Sequence, residues 1–328
     1  MSITNTTRTL LAKGRSSSWR ALAGGELVIA VMWVVGFLMP WYTDLYYVRL
    51  GTLAAIGAML ALSLNLMYGF AGQISFGHGG FYAIGAYGAA IAAERAGLGF
   101  PSALLLGTVL SGVLATVIGY PILRLRGHFL GLATLAFGLL VWTILRQWLD
   151  VTGGPSGISL PAPAVFGMDI QPSYFHMVVL ILLLLVYLFV RGLVNSKVGW
   201  AMRALRADER GAAAVGVPVI KYKVMAFALA GLLAGLAGAL YAFLDQYLTP
   251  ETFSINASIL ILTMVVVGGL GSNVGAVIGG VVLSVIPQVL LSIQEYQQLL
   301  YGAILLSFLL FLPRGIVGLR IPGVVRKP

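Results

Sequence analysis

The chain has 328 residues, of which 59% are hydrophobic and only 9% are charged, whereas an ordinary soluble domain is about 25% charged. This composition excludes a soluble domain and predicts an all-α polytopic membrane protein. The formal net charge of +10 does not indicate nucleic-acid binding, because the basic residues cluster beside apolar segments, as orientation in a bilayer requires. The absence of cysteine excludes disulfides and thiolate metal sites.

Apolar runs near the ~20 residues needed to cross the hydrocarbon core predict about ten transmembrane helices. They divide the chain into a cytoplasmic N-terminal segment (1–25), a transmembrane domain (26–313) and a cytoplasmic C-terminal tail (314–328). The predicted spans are approximately 21–41, 50–68, 76–93, 102–123, 129–145, 174–190, 224–244, 253–270, 274–293 and 296–312.

The basic residues predict the orientation of these spans. With the N-terminus in the cytoplasm, 17 of the 20 fall in inside segments, and only Arg49, Arg95 and Arg146 lie outside. This asymmetry places both termini and the central loop 192–222 in the cytoplasm. The longest outside connection, 150–172, is rich in Gly, Pro and Ser. It is either a docking surface for an external partner or a simple connecting loop.

The segment 65–80, NLMYGFAGQISFGHGG, mixes five glycines with polar residues at membrane depth. Non-helical backbone is tolerated there where it is buried in protein or lines an aqueous cavity, and Gly-interrupted segments are typical of translocation pathways. Alternatively, the glycines allow close helix packing with hydrogen bonds across it, and the two interpretations are compatible. The predicted pathway residues are Asn65, Gly69, Gly72, Gln73, Ser75, Gly77 and His78.

A second glycine cluster, VGGLGSNVGAVIGG (267–280), falls at a predicted cytoplasmic turn between two spans. Its Gly268, Gly269 and Gly271 are similar in arrangement to the break at Gly69 and Gly72. The match is too short to indicate an internal duplication.

The segment 198–218, which we call the knob, is the only long charged stretch between apolar segments. Its helical spacing predicts a cationic face and an apolar face, which suits a membrane surface; simple positive-inside anchoring is the alternative role for the arginines. The cationic positions are Arg203, Arg206 and Arg210, and the apolar positions are Val198, Met202 and Leu205.

Capping chemistry predicts a second, shorter helix inside the knob. Asp208 is a suitable N-cap, and Glu209 favours the first turn of a helix. Gly216 can end the helix in the left-handed conformation, and Pro218 blocks its continuation. The knob is therefore predicted to be a small helical unit on the cytoplasmic side.

Several kinds of chemistry are missing from the sequence. No phosphate-binding loop occurs, so the chain is not expected to hydrolyse ATP. His78, His128 and His176 show no metal-ligand pattern and are predicted to be hydrogen-bonded or interfacial. An intramembrane enzyme would need paired acid and base groups that the spans lack. Apart from Glu26 in the first span, the spans also lack the carboxylates of an ion-coupled carrier. A Na⁺ site of carbonyls and hydroxyls stays open, as does a passive channel.

Two stretches carry a family resemblance. They are LSLNLMYGFAGQISFGHGGFYAIGAYGAA (62–90) and VGWAMRALRADERGAAAVGVPVIKYKVMAFALAGLLAGLAGAL (198–240). Both resemble the signature regions of the LivM-type permease subunits of the branched-chain amino-acid ABC importer family. The resemblance implies a multi-pass subunit of the bacterial inner membrane that pairs with a second, homologous permease. It also implies two cytoplasmic ATPases, which hold ATP and Mg, and an external binding protein, periplasmic or lipid-anchored. No cofactor is expected on this chain.

In that family the charged loop forms a coupling helix that fits a groove on the ATPase. Its Glu-Ala-Ala-like core corresponds to Glu209, Ala212, Ala213, Ala214 and Gly216, interrupted by Arg210 and Gly211. Leucine, isoleucine and valine are the expected substrates; a related permease for urea or for an aromatic or hydroxylated acid is the alternative. The predicted coupling residues are Arg203, Arg206, Asp208, Glu209, Arg210, Ala212, Ala213 and Gly216.

Overall fold

The computed structural model describes residues 26–125, 127–165 and 167–290, together with Gly302 and Leu306. Segments 1–25 and 314–328 lie outside the described residues, and so does the tenth predicted span, 296–312, apart from those two positions. The described chain is mostly helical, with two antiparallel pairs of two-residue strands.

The helices begin and end as follows: α1 Glu26–Tyr42, α2 Leu45–Leu64, α3 His78–Arg95, α4 Phe100–Ile122, α5 His128–Gln147, α6 Leu149–Thr152, α7 Pro172–Val194, α8 Lys197–Ala207, α9 Glu209–Ala214, α10 Val219–Asp245, α11 Ile255–Gly268 and α12 Asn273–Leu290. A π-helix, Asn65–Phe70, continues α2, and 3₁₀ turns occupy Gly154–Ser156 and Pro250–Phe253. The strands are β1 Ile158–Ser159, β2 Ala164–Val165, β3 Met168–Asp169 and β4 Tyr247–Leu248.

Among the described residues, five helices are long and apolar enough to cross a membrane: α2 with its π continuation, α4, α5, α7 and α10. The helices α1, α11 and α12 are apolar but shorter. Each of the first nine predicted spans overlaps a helix, whereas the count of ten stays a prediction. Glu26, the acidic residue in the first predicted span, starts α1 and pairs with Arg191 at 2.9 Å.

The centre of the bundle is formed by α2, α3 and α10, whose inward residues are largely Gly, Ala and Leu. Small residues let helix backbones approach closely where no hydrophobic effect drives association. Ser111 Oγ lies 2.8 Å from Gly231 O and so links α4 to α10. The outer helices expose large apolar side chains, such as Leu105, Val113 and Leu185, as lipid-facing helices do.

The bundle has two distinct ends, joined by α7 over roughly 34 Å at 1.5 Å per residue. The loop end carries the connection 150–172, and the knob end carries α8 and α9. The three basic residues predicted outside all lie at the loop end: Arg49 pairs with Asp245, Arg95 donates to Asp150 O, and Arg146 lies 3.5 Å from Glu251.

The connection 150–172 has more regular structure than its sequence predicted. It contains the end of α6, a 3₁₀ turn and the strands β1, β2 and β3. Strand β1 pairs with β4, which follows α10, with Ile158 opposite Leu248. The loop end is therefore tied together across distant parts of the chain, a pairing that short irregular segments do not reveal by periodicity.

Candidate functional site: the contact between the knob and the broken helix

The predicted break in the Gly-rich segment is present. The π-helix Asn65–Phe70 extends α2, residues 71–77 follow without helical structure, and α3 begins at His78. π-Helical turns are rare and are frequently found at functional sites. Most of the segment is buried, although Gly72 and Ile74 are exposed.

Asn65 fastens the start of the break to the turn between α11 and α12. Its Oδ1 accepts a hydrogen bond from Gly271 N at 2.9 Å, and its Nδ2 donates to Ser272 O at 3.3 Å. Gly69 lies against the same turn, where a β-carbon would stand 2.7 Å from Gly271 N. The two glycine clusters that look alike in the sequence are thus in contact.

Gln73, Ser75 and His78 form a buried polar group behind the break. His78 Nε2 lies 2.7 Å from Ser63 Oγ. Within the described residues, both polar atoms of the Gln73 side chain, Ser75 Oγ and His78 Nδ1 have no hydrogen-bond partner. Buried polar atoms are normally hydrogen-bonded, so these four atoms are suited to bind water or a polar solute. Gly77 packs beside it against the backbone of α5 at Thr134 and Gly138.

The knob has the two helices that its sequence predicts. Ser196 caps α8, where its hydroxyl accepts a hydrogen bond from Val198 N. Asp208 caps α9, since its Oδ1 accepts from Arg210 N at 2.9 Å. Gly216 ends the unit at φ +85°. The predicted apolar face packs inward, with Met202 and Leu205 buried and Val198 half-buried, so the knob is held against the bundle.

Two of the three knob arginines also donate hydrogen bonds to main-chain carbonyls of the bundle. Arg206 Nη1 donates to Gly69 O, and the rest of its side chain covers Gly72. Arg203 Nη2 donates to Val194 O at 2.7 Å. The physical reason is that carbonyls at the end of a helix lack partners and favour cations. Arg203 is half-buried, whereas Arg206 and Arg210 are exposed, and the main-chain N–H of Arg210 takes part in the Asp208 cap.

An ion pair ties α9 to α10. Lys223 Nζ lies 2.7 Å from Glu209 Oε2, and the Lys223 side chain is only 7% exposed. A buried lysine requires such a partner, because an unpaired charge is costly away from water. Within α9, Ala212 is buried and Ala213 is exposed, and Val215, which follows the helix, is exposed as well. The outward surface of the knob therefore combines small apolar residues with the charged residues Arg206, Asp208 and Arg210.

The predicted residues fall into two connected groups. Asn65, Gly69 and Gly72 meet the knob or the α11–α12 turn, while Gln73, Ser75, Gly77 and His78 lie deeper in the bundle. Sequence reasoning missed Lys223 and Ser63, because each acquires its importance from a partner elsewhere in the fold. The only available signal for the α11–α12 turn was the similarity of its glycines to the break.

Comparison with known proteins shows similarity over most of the chain. Residues 46–309 match the family described as branched-chain amino acid transport system, permease component. The high-affinity branched-chain amino acid transport system permease protein LivM of Salmonella typhimurium is 32% identical over 326 residues, covering 92% of this chain and 75% of that protein.

Two further relatives extend this similarity. The probable branched-chain amino acid transport permease protein LivM of Methanocaldococcus jannaschii is 30% identical over 285 residues, which cover 80% of this chain and 81% of that protein. The permease protein LivH of Salmonella typhimurium is 27% identical over 294 residues, which cover 81% and 92%.

Proposed function

Because the chain belongs to the permease family of branched-chain amino acid transport systems, we propose that it is the membrane-spanning subunit of an ATP-driven importer for leucine, isoleucine and valine. It is a transport component and not an enzyme. We place it in the bacterial inner membrane, with both termini and the knob in the cytoplasm.

The proposed complex has four kinds of component. Similarity to both LivM and LivH, which occur in one organism, supports a pair of homologous permeases. Two ATPases bind ATP and Mg²⁺ on the cytoplasmic side, and an external binding protein delivers the amino acid at the loop end. The knob docks on the ATPases through α9 and its C-cap, where Arg210, Ala213 and Val215 are exposed.

The observation that carries this proposal is the direct contact between Arg206 of the knob and Gly69 O of the broken helix. An ATPase that moves the knob also moves α10, through the Glu209–Lys223 pair, and the π-helix, through Arg206. Movement of both elements changes the surroundings of the buried polar group Gln73, Ser75 and His78. Access to the pathway then alternates between the two sides of the membrane.

Purification of the chain in mild detergent from its host tests the assembly. We expect a second permease and two ATPases to co-purify with the chain. The purified complex should hydrolyse ATP. An active chain that purifies alone and takes up solute under an ion gradient would contradict the proposal, and so would flux without ATP or a gradient. Uptake of urea or an aromatic acid in place of leucine would assign the related substrate class.

The variant Glu209→Lys tests the coupling. It places a second cation beside Lys223, so we expect ATP hydrolysis to continue while leucine uptake is lost. Glu94→Lys makes the same charge change at an exposed position at the loop end and serves as the control. Normal uptake by the Glu209→Lys variant, at normal abundance in the membrane, would contradict a coupling role for α9.

A further inference from the structure

Two cavities flank the Arg49–Asp245 ion pair at the loop end. The outer cavity, of about 350 Å³, lies beneath the connection 150–172 and has both charged residues in its wall. The inner cavity, of about 180 Å³, lies between α2, α3, α10, α11 and α12. A recess of about 100 Å³ lined by Arg49 and Asp245 shares Leu53, Tyr241 and Gln288 with the inner cavity. The ion pair therefore stands between the two.

The charges of this pair are available to a ligand. The Arg49 and Asp245 side chains are 60% and 29% exposed, and ion pairs with this much exposure contribute little to stability. The Tyr241 hydroxyl donates to Asp245 Oδ2 at 3.2 Å, which fixes the carboxylate at the rim of the recess. A pair of so little structural value, held between two cavities, suits recognition better than packing.

The inner cavity suits a small aliphatic group. Its wall is mainly apolar, and its volume is well below the ~300–1,000 Å³ of sites for drug-sized ligands. Tyr82, in the second turn of α3, also lines the cavity, so it lies near the start of that helix. The apolar residues of the wall include Leu53, Ile56, Leu60, Ile261 and Met264.

We propose that Arg49 and Asp245 bind the two charged ends of a zwitterionic aliphatic amino acid on its way into the pathway. The Arg49 guanidinium takes the α-carboxylate, Asp245 takes the α-ammonium, and the side chain enters the inner cavity. Because each protein charge exchanges one opposite charge for another, neither is left unpaired when the ligand enters. This assignment rests on the proposed function and gives its pathway an entry site.

Recognition of both charged ends predicts a selectivity that an apolar cavity alone would not give. Leucinamide lacks the carboxylate, and 4-methylpentanoate lacks the ammonium, although both keep the branched side chain. Each would leave one member of the pair without its partner, which disfavours binding. Leucine, isoleucine and valine satisfy both charges.

The absence of cysteine in the chain allows a direct test with single-cysteine variants. Leu53→Cys places a thiol where the recess meets the inner cavity. In the purified, reconstituted complex, we expect leucine to slow labelling of this thiol by a methanethiosulfonate reagent at least fivefold, whereas leucinamide and 4-methylpentanoate do not. Ser159→Cys, exposed on β1, is the matched control whose labelling leucine leaves unchanged. Labelling is read from the mass of this chain, so partner cysteines do not interfere.

A second measurement tests the site even if the Leu53→Cys variant does not assemble into the complex. The double variant Arg49→Gln with Asp245→Asn removes both charges and leaves neither unpaired. We expect its complex to form at normal abundance and hydrolyse ATP, but to take up leucine at least tenfold more slowly. Leucine uptake at the wild-type rate by this variant, or equal Leu53→Cys labelling with and without leucine, would overturn the site. A wild-type complex that takes up no leucine would instead refute the proposed function, and the site with it.

Discussion

Arg203 and Arg206 in the knob and Arg49 at the loop end are held in different ways. At the knob end, Arg203 and Arg206 donate to main-chain carbonyls, Val194 O and Gly69 O. At the loop end, Arg49 pairs with the carboxylate of Asp245 beside two cavities. A neutral carbonyl offers no charge that a solute could replace, whereas a carboxylate can exchange its cation. The two proposals accordingly assign the transmission of movement to the knob end and the selection of the solute to the loop end.

The strongest test of this comparison is Arg206→Ala. The change removes a hydrogen bond from a charged group, worth about 1.5–3 kcal/mol, and about 1.4 kcal/mol corresponds to a tenfold effect. We expect the amount of leucine taken up per ATP hydrolysed to fall roughly tenfold in proteoliposomes. Arg124→Ala, which removes an arginine that lies over the ring of Tyr120, is the control. An unchanged ratio for Arg206→Ala would show that the knob end does not transmit movement through this contact.

A smaller effect is expected from Gly72→Ala, which presses on the same contact from the other side. Gly72 has φ +72°, and a β-carbon there would stand 3.1 Å from Arg206 Cα. The left-handed conformation costs about 1–2 kcal/mol for a residue with a β-carbon, and displacement of Arg206 adds to it. Gly97→Ala carries the strain alone, since Gly97 has φ +62° and open space around it. Thermal unfolding of the detergent-purified complex should give a lower midpoint for Gly72→Ala than for Gly97→Ala, and equal midpoints would argue against packing of Arg206 on Gly72.

The smallest effect, a change in thermal stability, is expected from Ser63→Ala. This change removes the hydroxyl that pairs with His78 Nε2, a contact that lies between the two ends of the bundle. Loss of one such hydrogen bond costs about 1 kcal/mol, which should lower the unfolding midpoint by a few degrees or less. Thr116→Ala is the control, because its hydroxyl bonds Gly112 O within its own helix at 2.8 Å. A larger loss for Thr116→Ala than for Ser63→Ala would contradict the structural importance of the Ser63–His78 contact.

Local chemistry was predictable from the sequence, and contacts between distant segments were not. Apolar length located the helices, and the capping residues Asp208 and Gly216 were identified because a cap acts on its own turn of helix. The contact between Arg206 and Gly69 joins residues 137 apart, and that between Asn65 and Gly271 joins residues 206 apart. Periodicity carries no information about such separations.

At the loop end, the sequence predicted the location of the charged residues but not their contacts. Arg49 and Asp245 were both expected outside the membrane, so their shared end of the bundle followed from the span boundaries. Their pairing and the cavities beside them depend on how α2 and α10 pack, and on the turn after Asp245, where Gln246 has φ +60°. A single sequence does not specify that packing.

The π-helix also fixes the number of residues that this part of the chain must contain. A π turn holds one residue more than the α turn it replaces, and each residue of an α-helix turns the chain by about 100°. Deletion of one residue from Asn65–Phe70 would let the helix continue in regular form, yet it would rotate the Gly69 carbonyl away from Arg206. Natural relatives that share this contact are therefore expected to align across the segment without insertions or deletions, even where their side chains differ.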